Sequence, residues 1–238
     1  MKLFRKRSGD NVPPAQIDNG GGRTSYSQCG EDLILEHILS EYLHITQPSY
    51  LDLGAHHPTY LSNTYRFYQK GGRGVCVEPD PVLFAPLQTA RPRDVCLNVG
   101  VGASEAGEAE FYVMSCRTLN TFSRQEAERY QSYGTHRIQE IVKVPLLSVN
   151  TILEKYFGSR PDFVSLDVEG LDLEILESFD FSKFRPHAFC VETLTYTEDN
   201  TEEKTKEILD FMISKGYFVY ADTYINTIFV ETEIWRNR

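Results

Sequence analysis

The chain has 238 residues, 41% of them hydrophobic, enough for one well-packed domain and too few for two. Its formal charge of −10 repels a phosphate backbone, so nucleic acid is excluded as the expected partner. No run of about 18 apolar residues occurs, so no transmembrane helix is predicted, and no signal peptide is expected because no apolar core follows the first basic residues.

Lys2, Arg5, Lys6 and Arg7 lie in a stretch that also carries Pro13, Pro14 and the glycines at 20–22. That composition predicts a flexible tail over 1–24 and a domain over 25–238. The cysteines are Cys29, Cys76, Cys96, Cys116 and Cys190, an odd number without a CxxC pair. Three of them sit in apolar strand-like runs, which predicts a reduced, cytoplasmic protein.

A helix is predicted from Ser27, with Leu33, Ile34, His37, Ile38 and Tyr42 as a buried stripe. Pro48 ends it, and YLDLG is the first strand, turning into the loop Gly54-Ala55-His56-His57-Pro58. Ser62 to Lys70 reads as a helix closed by Gly71 and Gly72. GVCVEPD is a second strand, Val82 to Thr89 a short helix broken early by Pro86, and VCLNVGVG a third strand. This alternation implies parallel strands joined by right-handed crossovers.

The rhythm then breaks, giving an insertion at about 103–145. AEFYVM reads as an edge strand, 123–140 as partly helical and IVKVPLL as a strand. An excursion of this length is usually functional, here an acceptor-binding or lid segment. After a helix over Val149 to Phe157, the core resumes with DFVSLDVEG, a helix over Leu171 to Phe179, HAFCVET, and a helix over Thr201 to Lys215. YFVYADTYINTIFVE closes the core as an antiparallel hairpin. The expectation is an α/β fold, Rossmann-like and doubly wound, with a mostly parallel seven-stranded sheet and that C-terminal hairpin.

Asp52, Glu78, Asp167 and Glu192 stand at strand ends, which a parallel sheet would gather along one cleft. Clustered carboxylates repel, so stability alone does not favour them. The loop after the first strand lacks the further glycines of GxGxxG, and Pro58 removes a donor, so a pyrophosphate is disfavoured. No GxxxxGK[ST] occurs. The cleft suits a nucleoside without phosphates, with an acid for the ribose hydroxyls, and carboxylates that welcome a cation. S-adenosylmethionine meets both conditions.

The strings SQCGEDLIL, LDLGAHHPTYLSNTYRFYQKGGRGVCVEPDP, SLDVEGLDLEILESFDF and RPHAFCVET, in this order, resemble the FkbM family of S-adenosylmethionine-dependent methyltransferases, with a class I methyltransferase fold. The resemblance runs from Tyr26 to Glu231. It implies cofactor contacts at Asp52, Gly54 and Ala55 beside the methionine part, at Glu78 and Pro79 on the ribose, and at Asn98 and Val99 near the adenine. It places Asp167 to Gly170 where the methyl leaves and the acceptor arrives, with Asp167 a further cofactor contact.

Methyl transfer from a sulfonium is chiefly positioning, and a hydroxyl acceptor also needs a base. Asp167 and Glu169 are the favoured bases, with His56 and His57 as further candidates. Asp167, Glu169 and Glu192 offer hard oxygen ligands for a divalent metal such as Mg2+. Family members often methylate oxygen on sugars, glycolipids or natural products, so a small-molecule or glycan acceptor is expected. Tyr112, Arg117, Asn120, Tyr130, Tyr133 and Arg137 are candidates for its wall. A homo-oligomer is compatible with the sequence. Two other classes stay open: an S-adenosylmethionine-binding module without turnover, and a nicotinamide-dependent sugar-modifying enzyme.

Overall fold

A computed structural model describes residues 22–103, 107–198 and 201–238. Residues 1–21, with the expected basic cluster and most of the expected tail, lie outside the described residues. In chain order the regular elements begin with α1 (Glu31–Glu36), β1 (Ser49–Leu53), α2 (Tyr65–Gln69), β2 (Arg73–Val77), α3 (Pro81–Ala90), β3 (Val95–Leu97), β4 (Gly100–Gly102) and β5 (Glu108–Met114). They continue with α4 (Arg124–Ser132), β6 (Ile138–Ser148), α5 (Val149–Tyr156), β7 (Phe163–Leu166), α6 (Asp172–Ser178) and β8 (Ala188–Glu192). The chain closes with α7 (Lys206–Ser214), β9 (Tyr217–Asp222), β10 (Asn226–Glu231) and α8 (Thr232–Arg236).

The main sheet has seven strands in the order β3-β2-β1-β7-β8-β10-β9. All neighbours pair in parallel except β10, which is antiparallel to both β8 and β9. The expected sheet and hairpin are therefore present. Strand order reverses at β1, which lies between β2 and β7, and a crevice opens there at the carboxyl ends of the strands.

Side-chain alternation divides the core into two layers. Leu51, Leu53, Val75, Val77, Val164 and Leu166 pack with α5, α6 and α7 on one face. Tyr50, Cys76, Phe163 and Cys190 pack with Leu35, Ile38, Leu39, Phe67 and Leu87 on the other. Because both faces are covered, β1 and β7 are buried along nearly their whole length.

Several boundaries differ from the sequence reading. After α1 the chain continues as a π-helix over His37–Tyr42, with Leu43 N–H donating to Ile38 C=O. Leu35, Ile38 and Leu39 are buried at ordinary helical spacing, which leaves His37 exposed, and the π turn carries Tyr42 out of that stripe. α3 runs through Pro86 after starting at an Asp80 cap whose carboxylate accepts from Val82 N–H at 2.8 Å. VCLNVGVG is not one strand. Asn98 donates to the carbonyls of Glu78 and Pro79 at 2.9 and 3.0 Å, ending β3 and sending β4 to pair with β6 in a separate sheet of order β4-β6-β5. AEFYVM belongs to this second sheet as β5, antiparallel to β6. α7 starts at Lys206 rather than Thr201, and α8 follows the hairpin unforeseen.

Candidate active site

The turn after β1 is built by backbone. Gly54 sits at φ 82°, and an added Cβ there would lie 1.8 Å from the Asp167 carbonyl oxygen. Gly54 and Ala55 N–H both donate to Val77 C=O, at 3.1 and 3.0 Å, which ties the turn to β2. His56 follows at φ 50°, and its N–H donates to Glu78 Oε2 at 2.8 Å. Asp80 N–H donates to Glu78 Oε1, also at 2.8 Å. Glu78 is thus aimed into the cleft by two amides, and burial raises its carboxyl to about 7 against the pull of those donors.

Gly54, His56, Glu78, Pro79, Val99, Asp167, Glu169 and Glu192 line this cleft, together with Gln28, Asn63, Arg117, Asn120 and Phe122. Asp52, expected to join the other three strand-end acids, does not. It shares a strand face with Tyr50, so it points beneath α2 and α3, where it accepts the Thr64 hydroxyl at 2.5 Å. Buried Arg91 secures this region, donating to Thr64 Oγ1 and Ser62 Oγ at 2.8 Å each and to the Pro58 carbonyl at 3.1 Å. Burial raises the Asp52 carboxyl, and the Arg91 charge opposes that rise. Ala55 is in the core and Asn98 caps the end of β2, so neither lines the cleft. His57 folds back on its own turn, with Nδ1 accepting from Thr59 and Tyr60 N–H at 3.1 and 2.9 Å.

At the carboxyl ends of β7 and β8, one oxygen from each of Asp167, Glu169 and Glu192 lies within 4.8 Å of the others. Glu169 takes φ 53° and Gly170 φ 99°, a tight turn that aims Glu169 inward. Its carboxylate accepts the Tyr130 hydroxyl at 3.0 Å, and its carbonyl accepts the Thr121 hydroxyl at 2.8 Å. Asp172 braces the turn, accepting from Val168 and Gly170 N–H at 3.3 Å each. Burial raises the carboxyls of the group: Asp167 to about 6, Asp172 to about 7, and Glu169 and Glu192 well above the usual range. The Glu192 hydrogen bond to Asp167 lowers Asp167 and raises Glu192, so Glu192 keeps the proton and Asp167 is the carboxylate that ionises first. These are the donor set of a hard cation and, equally, of a proton acceptor.

The expected acceptor wall is divided. Arg117 and Asn120 line the cleft and hold Asp80, with Asn120 Nδ2 at 2.9 Å. Tyr130 contacts Glu169, whereas Tyr112 is buried in the insertion's own core and Arg137 is exposed. Sequence reasoning missed Asn63, Phe122 and Arg129. Arg129 had a visible signal, its placement three residues after Glu126 on a polar helix.

The family model for the methyltransferase FkbM domain matches residues 52–219. No curated protein matches the chain. Among solved structures, Burkholderia thailandensis 1,6-didemethyltoxoflavin-N1-methyltransferase, bound to 1,6-didemethyltoxoflavin and S-adenosylhomocysteine, is 14% identical with a TM-score of 0.43, the match covering 86% of this chain and 80% of that one. A TehB-like SAM-dependent methyltransferase from Corynebacterium glutamicum is 9% identical with a TM-score of 0.42, covering 85% of this chain and 87% of that one. With the family model running from the end of β1 through the DVEG turn to the start of the hairpin, the chain belongs to the FkbM family of S-adenosylmethionine-dependent methyltransferases.

Proposed function

We propose that the chain is an O-methyltransferase acting on a hydroxyl of a carbohydrate, glycolipid or natural-product acceptor. The carrying observation is the trio Asp167, Glu169 and Glu192, with oxygens within 4.8 Å, at the edge of a cleft whose other end holds Glu78. In this reading Glu78 accepts the ribose hydroxyls, Gly54 and Pro79 give backbone room, and Val99 packs the adenine. Asp52, Ala55 and Asn98 act behind that surface by holding the loop and the strand end.

Asp167 or Glu169 takes the proton of the acceptor hydroxyl as its oxygen attacks the methyl carbon. A neutral hydroxyl is a poor nucleophile, so a base pays off more here than for a thiolate acceptor. His57, with Nδ1 accepting from the backbone of its own turn, shapes the loop and stands behind these two as a base.

A divalent cation such as Mg2+ belongs to the same proposal, with Asp167, Glu169 and Glu192 as its ligands. The donor set is all carboxylate oxygen, which fits a hard ion, and a cation would relieve the repulsion among these acids. The ion would supply Lewis acidity toward an acceptor hydroxyl. A rise in Tm on adding Mg2+, lost in Glu192→Gln, is the expected result.

No described helix is long and apolar enough to cross a membrane. Five free thiols suit a reducing compartment, and the proposal places this single domain with its insertion in the cytoplasm, as a monomer or homo-oligomer. The test is an acceptor screen. Labelled S-adenosylmethionine is offered to sugars, glycolipids and hydroxylated natural products, and the methylated atom is identified. Transfer to nitrogen or carbon alone would refute the O-methyl reading.

A further inference from the structure

A second hollow opens on the other side of the DVEG turn. It shares Glu169 and Glu192 with the cofactor cleft, and its remaining wall includes Arg129 and Tyr130 of α4, Asp172 and Tyr196. The two spaces therefore meet at the carboxyls beside which the methyl group would be delivered. The Tyr130 and Tyr196 rings meet edge to face, centroids 5.6 Å apart, giving the hollow an aromatic side against which a ring's C–H face can rest.

Its ionisable lining is mostly acidic. Glu126, Glu169, Asp172 and Glu192 all line it. Arg129 is the one basic residue in the lining among the described residues, and it is already engaged. Its guanidinium pairs with Glu126 and donates to the Tyr133 hydroxyl at 2.7 Å and the Tyr196 carbonyl at 2.5 Å. Away from the junction, a phosphate or carboxylate would face Glu126 and Asp172 and no unengaged basic side chain among the described residues. An ammonium group would find acceptors on several sides.

We propose that this hollow binds the methyl acceptor, and that the acceptor is a polyhydroxyl compound carrying a protonated amine. The inference rests on the proposed O-methyl function and narrows its substrate. The amine is held beside Glu126 and Asp172, the acids of the hollow that do not line the cleft, while a neighbouring hydroxyl reaches the junction. A lone pair of that hydroxyl oxygen attacks the methyl carbon and the C–O bond forms. The C–S bond breaks, its electron pair stays on sulfur, and S-adenosylhomocysteine leaves as a neutral thioether. The hydroxyl proton passes to Asp167 or Glu169.

The test uses the full chain with labelled S-adenosylmethionine and a matched set of aminosugars and aminocyclitols, each beside its N-acetylated and its phosphorylated counterpart. Amine forms are expected to exceed N-acetylated forms by about tenfold or more in kcat/KM, the scale of one charge-assisted hydrogen bond, with the phosphorylated forms below both. Glu126→Gln, which releases the Arg129 guanidinium into the hollow, is expected to shrink that ratio. Leu194→Trp, which fills the hollow, is expected to abolish transfer while calorimetry shows S-adenosylmethionine still bound. Equal turnover of amine and N-acetylated forms, preference for the phosphorylated form, or full activity in Leu194→Trp would overturn the inference. If only acceptors outside the amine set are methylated on oxygen, the inference falls and the O-methyl reading stands. Methyl on the amine nitrogen overturns both, because the amine would then sit at the junction as the nucleophile, and transfer to nothing at all sinks both.

Discussion

Gly54 and Asp167, the turns that follow β1 and β7, are in backbone contact: a Cβ on Gly54 would lie 1.8 Å from the Asp167 carbonyl oxygen. The first cofactor turn and the DVEG turn are thus fixed against each other by the absence of one side chain. Gly54→Ala must displace the Asp167 backbone and also strain a residue at φ 82°. A loss of about 2–5 kcal/mol in denaturant unfolding is expected, with weakened S-adenosylmethionine binding by calorimetry. Wild-type stability in this variant would show that the two turns can separate freely.

Glu78→Ala removes the acceptor that two loop amides, from His56 and Asp80, aim into the cleft. Cofactor affinity is expected to fall about 10- to 100-fold, the scale of hydrogen bonds to a charged group. Unchanged affinity in calorimetry would remove Glu78 from the ribose site.

Asp167→Asn keeps the shape at the end of β7 and removes the carboxylate that ionises first in its group. A kcat loss of about 100-fold or more is expected, with S-adenosylmethionine affinity changed far less. Equal losses in both would argue for a binding role alone.

Arg91→Leu leaves Asp94 and Asp52 without their buried cation and Ser62, Thr64 and Pro58 without their donor. Destabilisation of about 3–5 kcal/mol is expected by chemical denaturation, as when one partner of a buried ion pair is removed. A loss under about 1 kcal/mol would show that the loop over 58–64 holds without it.

The raised carboxyls set a sign for stability against pH. Asp172 titrates at about 7 in the fold against 3.8 for the free side chain. Between those values the folded state holds a proton that the unfolded state releases, so this contribution is present at the acid end and is lost as pH rises through about 7. Asp172→Asn is therefore expected to gain stability relative to wild type between about pH 5 and about pH 8, read from paired thermal melts. A difference that stays flat or runs the other way would place the Asp172 carboxyl in an ordinary environment.

The sheet was legible because its strands are apolar runs punctuated by acids and glycines, a pattern fixed by burial on both faces. The DVEG turn was legible for the same reason. The orientation of Asp52 was not taken from the sequence, although the alternation that puts Leu51 and Leu53 on one face puts Tyr50 and Asp52 on the other. Arg91 gave no local signal, since its partners Ser62 and Thr64 lie 29 and 27 residues away. The stripe through His37 and Tyr42 failed because the buried face runs through Leu35, Ile38 and Leu39 instead, and the π turn then moves Tyr42 off that face.

The insertion is fastened at two points. Arg117 and Asn120 hold Asp80 beside Glu78, while Thr121 and Tyr130 hold Glu169 at the other end of the cleft. A sequence change here that alters which molecule is methylated acts on the grip for the methyl donor as well. On the proposed reading donor and acceptor recognition are inherited together, and a new acceptor is reached most readily from the α4 and Tyr196 side, where the wall carries no tie to Asp80.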